Sequence, residues 1–176
     1  MASRRAFLTS AVGVGGALSG CLTKAGFAKT GYLQFKIVEV AWQHDRDRYR
    51  DDIFYAAYGG ETQPWCRVAE EYQSLANSIE DVQVTEELLD RLESSFDDVR
   101  YVLGFCWPDG ECRNPTATRA EFNRVQFGDT AEVVFDHPGV HIVDVYEDAN
   151  ADFTNWEEVN IIDFSAIHAE HGVPIT

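Results

Sequence analysis

The residues whose types and spacing suit chemistry are a few cysteines, histidines and closely spaced acids. Cys106-Trp-Pro-Asp-Gly-Glu-Cys112 sets two thiols on either side of a turn, so little loop closure is needed to join them. A Cys106–Cys112 disulfide is the expectation, with Cys66 bonded to one of the two as the rival. Nothing marks the leftover thiol as a nucleophile, and burial is the commonest fate of a free cysteine. Asp148, Asn150 and Asp152, followed by Thr154, Glu157 and Glu158, space oxygen ligands at alternate positions, as calcium loops do. Phe153, however, stands where an EF-hand needs glycine, and Val159 where it needs glutamate. Calcium is one reading and a solvated acidic loop is the other. His168 with His171, and His137 with His141, each offer two imidazoles, but a catalytic zinc needs a third protein ligand, which the spacing does not name. Blue copper finds no support, because the one methionine is Met1 and no cysteine is closely followed by a histidine. No Gly-x-Ser-x-Gly elbow, phosphate-cradling glycine loop or His-Glu-x-x-His motif occurs.

The first 21 residues carry an address. Ser3-Arg4-Arg5-Ala6-Phe7-Leu8 resembles the twin-arginine export signal, with Arg4 and Arg5 as its basic pair. A glycine-diluted apolar run follows, and then Leu18-Ser19-Gly20-Cys21, which resembles a lipobox. The run from Phe7 to Leu22 is shorter than the roughly 20 apolar residues of a membrane span, which favours a cleaved signal. The expected organisation is a signal peptide over 1–20, a lipid on the Cys21 sulfur with a linker over 21–31, and one globular domain over 32–176.

Composition limits the partners. The 176-residue chain has 30 acids, 14 basic residues and a formal charge of −16. Its three lysines are Lys24, Lys29 and Lys36. No basic surface is available to neutralise phosphates, so nucleic acid is not an expected partner. The acid excess resembles that of proteins of extreme halophiles, in which carboxylates hold water and cations while a Debye length of about 3 Å at 1 M salt screens self-repulsion. Signal and composition together resemble the surface lipoproteins of halophilic archaea. That resemblance implies a domain outside the cell, tethered to the outer face of the cell membrane by its lipid, and it names no activity.

The elements that would position these groups follow from periodicity. Tyr32–Trp42 alternates as a strand whose apolar side swaps near Ile37, which predicts a bulge. Residues 45–58 fit either a helix or the second strand of a hairpin, and the aromatic run Ile53-Phe54-Tyr55 tips the reading to the hairpin. Helical spacing predicts helices over 64–78 and 86–99, the latter capped by Thr85. Tyr101–Trp107 reads as a strand. Thr118 and Glu121 form a capping-box pattern for a short helix to about Gln126. Residues 131–136 and 140–146 read as strands joined by a type II turn at His137-Pro138-Gly139. Val159–Phe164 reads as a last strand, followed by a helical turn over 165–172.

The sum predicts an α+β fold, a mostly antiparallel sheet with two main helices packed on one face. The leading functional expectation is a non-enzymatic module that binds a protein, glycan or ion in the cell envelope, with no cofactor beyond the calcium just considered. The alternative is an exported hydrolase or metal-dependent enzyme whose site assembles from distant residues such as His168, His171 and Asp163.

Overall fold

The computed structural model describes residues 28–58, 63–146 and 155–175. Nine strands run through these residues: β1 (Lys29–His44), β2 (Asp47–Ala57), β3 (Trp65–Ala69), β4 (Asp98–Cys106), β5 (Cys112–Arg113), β6 (Thr116–Ala117), β7 (Thr130–Asp136), β8 (Gly139–Tyr146) and β9 (Glu158–Ile162). A 3₁₀ helix covers Glu70–Ala76, and three α-helices, α1 (Glu86–Ser95), α2 (Arg119–Arg124) and α3 (Phe164–Glu170), complete the described elements.

The α+β expectation is overturned. Strands hold 48% of the described residues and helices 22%, in one nine-stranded mixed sheet whose parallel pairs are β3–β9 and β6–β8. The expected helix over 64–78 is the main cause of the difference. Trp65, Val68, Ala69 and Tyr72 mimic helical spacing, yet Cys66 and Val68 are fully buried two positions apart, the period of a strand lying on a core. The chain turns into the 3₁₀ helix only at Glu70.

β1 organises everything else. One edge of it pairs with β4 through Tyr32–Ala41; the other pairs with β7 through Lys29–Tyr32 and then with β2 through Phe35–His44. β4 pairs with β6, β6 runs parallel to β8, and β8 returns to β7. The strands β1-β4-β6-β8-β7 therefore close into a barrel, from which β2, β3 and β9 extend as an open wing. Leu33, Leu103, Phe105 and Ile142 fill the barrel, and Phe122 of α2 joins them. Trp42, Phe54, Leu75, Leu92 and Phe96 continue the same core under the wing.

Several local expectations hold. β2 follows β1 through a two-residue turn in which Asp45 and Arg46 both have positive φ, the geometry that matches strand twist in a tight hairpin. The register shift falls between Val38 and Glu39, with Ile53 as the extra residue on β2. The Thr85 hydroxyl accepts from the Leu88 N–H at 3.3 Å, and Thr118 with Glu121 forms a complete capping box. The 137–139 turn differs from expectation: the His137–Pro138 bond is cis and Gly139 lacks the positive φ of a type II turn.

Lys36 ties β1 to the segment before α1 and to the end of α2. It is fully buried, and its three N–H donors meet Val82 O at 2.7 Å, Val125 O at 2.9 Å and Gln126 Oε1 at 3.2 Å, with the Phe122 ring 4.2 Å away. Burial drives its pKa well below the ordinary lysine value, while Asp129 and Asp81 oppose that fall. Three acceptors match an ammonium better than an amine, which has only two protons to give.

Candidate functional site

Beyond its first residues β1 alternates in earnest, sending Val38, Val40 and Trp42 into the core and Phe35, Ile37 and Glu39 to the opposite face. Register then decides what surrounds them. Tyr55 stands opposite Ile37, and Ala57 opposite Phe35. Across β3, Arg67 faces Tyr55 and Trp65 faces Ala57; across β4, Arg100 faces Glu39 and Gly104 faces Phe35. The result is an aromatic ladder on the outer face of the wing. Phe35 and Tyr55 have centroids 6.0 Å apart, Tyr55 and Trp65 5.4 Å apart, and Trp65 at the end is 41% exposed.

Charges border the ladder on one side. Arg50 and Arg100 both engage the Glu39 carboxylate, and Arg48 Nη2 lies 2.8 Å from Asp98 Oδ2. Asp52 sits across from Glu39 with Asp51 beside it in sequence. Its carboxyl is pushed up to about 6, first by burial, then by the charges of Asp51 and Glu39, with Arg67 pulling the other way. Four arginines, Arg48, Arg50, Arg67 and Arg100, gather here, on a protein that carries 30 acids.

The sequence-derived candidates take different places. Cys106 and Cys112 form a disulfide, with an S–S distance of 2.04 Å. Cys66 is free and fully buried, and burial pushes its thiol up to about 12, which leaves it unreactive. The disulfide hairpin is tied to the start of β1: Glu111 accepts from Lys29 Nζ at 2.9 Å and from Arg113 Nη2 at 2.8 Å. Those two hydrogen bonds, Lys29 first, hold the Glu111 carboxyl below its ordinary value.

His168, His171 and Asp163 do not converge. Asp163 caps α3, accepting from the Ala166 N–H at 2.8 Å. His168 Nε2 instead lies 3.1 Å from Asp51 Oδ2, with its ring edged against Trp42 and Phe164 at 4.6 and 4.5 Å, a setting that fixes α3 to the wing. His171 is exposed at the helix end. His141 Nδ1 lies 3.1 Å from Glu121 Oε1 and His137 is exposed. Among the described residues no three His, Cys, Asp or Glu side chains are grouped to hold a metal, and no helix is long and apolar enough to cross a membrane. Arg4, Arg5, Cys21, Asp148, Asn150 and Asp152 lie outside the described residues.

The outer face is what the sequence reading missed. Its signal was present in β1, where Phe35 and Ile37 precede Val38 and Val40, so both faces of one strand carry apolar side chains. Comparison with family models, with curated proteins and with solved structures finds no match to this chain.

Proposed function

We propose that this is an exported, lipid-anchored protein of the outer face of the cell membrane, which works by holding a protein partner and not by catalysis. The observation that carries the reading is the outer face of the wing, where Phe35, Tyr55 and Trp65 form a flat apolar strip beside paired charges. Tryptophan, tyrosine and arginine are the side chains that dominate binding energy at protein interfaces, and a charged margin around an apolar strip is the usual layout. Arg48, Arg50, Arg67 and Arg100 nearly balance Glu39, Asp52 and Asp98 there. On a chain of charge −16, that is a surface which another acidic envelope protein can approach without strong repulsion.

The anchor reading rests on Arg4, Arg5 and Cys21 in the sequence. Lys29 is eight positions after Cys21, a reach of at most roughly 29 Å when fully stretched. The Lys29–Glu111–Arg113 cluster and the disulfide hairpin would then lie near the lipid head groups, with the wing directed along the membrane or away from it.

Two experiments test this. Cys21→Ala should release the protein from membranes or trap its precursor; unchanged partitioning with detergent would refute the anchor. A photoreactive side chain at position 65, activated in native membranes at molar salt, should link the chain to one protein species. Tyr55→Ser with Trp65→Ser should abolish capture by a second label nearby, whereas Tyr146→Ser on β8 should not. Retention by envelope polysaccharide in place of protein cross-linking would assign the face to a glycan and overturn the protein partner.

A further inference from the structure

β9 is the last strand of the wing. One edge of it pairs in parallel with β3 over five consecutive residues, and the other edge meets no strand among the described residues. The neighbouring chain holds it in shape. The Glu157 N–H donates to Pro64 O at 2.8 Å, Trp156 Nε1 donates to Ala76 O at 2.9 Å, and Asp163 caps α3 directly after the strand. An extended template is thus ordered before anything docks on it.

Proteins defend such edges by making them short, charged, bulged or proline-bearing. Elsewhere this sheet does so. β5, at its other end, has two residues, and the part of β2 beyond the reach of β3 begins Asp47-Arg48-Tyr49-Arg50-Asp51-Asp52. β9 has no such defence. Val159-Asn160-Ile161-Ile162 holds no charge, no proline and no shift of register. Val159 and Ile161 are 40% and 50% exposed on the face they share with the buried Cys66 and Val68, so an incoming strand would cover both beside an existing core.

Charge selects what can dock. Glu157 and Glu158 are exposed at the start of β9, and the exposed Asp163 follows its end. A second copy pairing antiparallel about Asn160, so that Val159 meets Ile161, sets Glu157 opposite Asp163 at both ends, and like charges directly opposite are destabilising. A segment that places lysine or arginine after two alternating apolar residues meets the same acids favourably.

We propose that the free edge of β9 takes an extended segment of another protein as an added antiparallel strand, with β-branched residues opposite Val159 and Ile161 and basic residues opposite Glu157 and Glu158. Main-chain hydrogen bonds supply the affinity, and the side chains select the segment. The site is the backbone edge of one strand, so it depends on neither the aromatic ladder nor the lipid anchor.

The test titrates the full chain by calorimetry, at one fixed ionic strength, with the blocked peptide Thr-Val-Thr-Val-Lys-Lys. Saturable binding at one site is expected, and a counterpart ending in Glu-Glu should bind about tenfold more weakly. Two isomers N-methylated at alternate residues separate strand pairing from unspecific adhesion: the isomer that blocks the N–H groups facing β9 should lose binding, and the other should keep it. Glu158→Gln should weaken the lysyl peptide about threefold, and Ile161→Lys, which charges an exposed position, should abolish its binding. Tyr55→Ser in the aromatic ladder should leave it unchanged. The peptide isomers leave the protein untouched, so a folding defect in a variant cannot imitate their result. Absence of saturable binding, equal affinity of the two isomers, equal affinity of the basic and acidic peptides, or loss of binding in Tyr55→Ser would overturn the proposal. Dimers of the free chain that Ile161→Lys dissolves would give the edge to a second copy and overturn it as well.

Discussion

Phe35 lies directly over Gly104, so closely that a Cβ at residue 104 would fall 2.3 Å from the ring's Cε1. The ring occupies the space of the missing side chain, and its contact with Tyr55 depends on that vacancy. Gly104→Val should therefore expel Phe35, lower stability by about 2 kcal/mol and change the Trp65 emission through Tyr55. Thermal melts check this, and pairing the change with Phe35→Ala should recover part of the loss. A Gly104→Val protein that melts like wild type would contradict the packing described.

Asp52 gives a pH dependence whose sign can be worked out. Its carboxyl is raised from an ordinary 3.8 to about 6, so the folded state holds the proton more tightly than the unfolded state. The cost of ionising it is absent below about pH 4, grows between pH 4 and 6 and is complete above 6. Asp52→Asn should thus stabilise the protein by about 1 kcal/mol at pH 7, after allowance for its partial exposure. The gain should vanish near pH 4. Denaturant melts at the two pH values decide it, and an equal gain at both would contradict the assignment.

Lys36→Met keeps the aliphatic stem and removes the ammonium. It should leave Val82 O and Val125 O without their donor and cost about 3 kcal/mol. Hydrogen exchange should quicken in residues 78–85 and at the end of α2 before it does in β1. Equal denaturation midpoints for the two proteins would show that the buried cation is dispensable.

The Cys106–Cys112 bond closes a short excursion at the end of β4, so its loss should loosen that hairpin and leave the barrel intact. Cys112→Ser should cost about 2 kcal/mol at most by loop-closure entropy. Non-reducing peptide maps should show the 106–112 link and no linked peptide containing Cys66.

Salt supplies the last prediction. Dilution from about 1 M to about 0.1 M lengthens the Debye distance from about 3 Å to about 10 Å, which brings many more pairs of acids into repulsion. The melting temperature should fall across that range in potassium chloride, and a constant value would count against the halophilic reading.

The sequence showed most elements and little of their assembly. Thr85, Thr118 and Glu121 announce two helix starts, because capping is a contact between near neighbours. The apolar residues of β3 fit the helical and the strand period at once, and only its pairing with β2 and β9 selects the strand. β5 and β6 are two residues each, too short to leave a period, yet β6 is the stave that closes the barrel. The disulfide was legible from a spacing and a turn. Lys36 was not: it sits just before the swap of apolar sides in β1, and nothing local says that three acceptors await it. The aromatic face was hidden for a similar reason, since Phe35, Tyr55 and Trp65 lie far apart in the chain and meet only through register.

The threefold pairing of β1 also sets the order in which the chain can mature. Lys29 is paired with Val133, and Ile37 with both Tyr55 and Val102, so the first of the described strands reaches its last neighbour only when β7 has been made. Topologies dominated by such distant contacts fold slowly, in the range of milliseconds to seconds. Until β4 arrives, β1 can pair only with β2, and its first residues wait for β7. Residues 29–57 can therefore stand as a paired hairpin well before β6, β7 and β8, the staves that close the barrel, have been made.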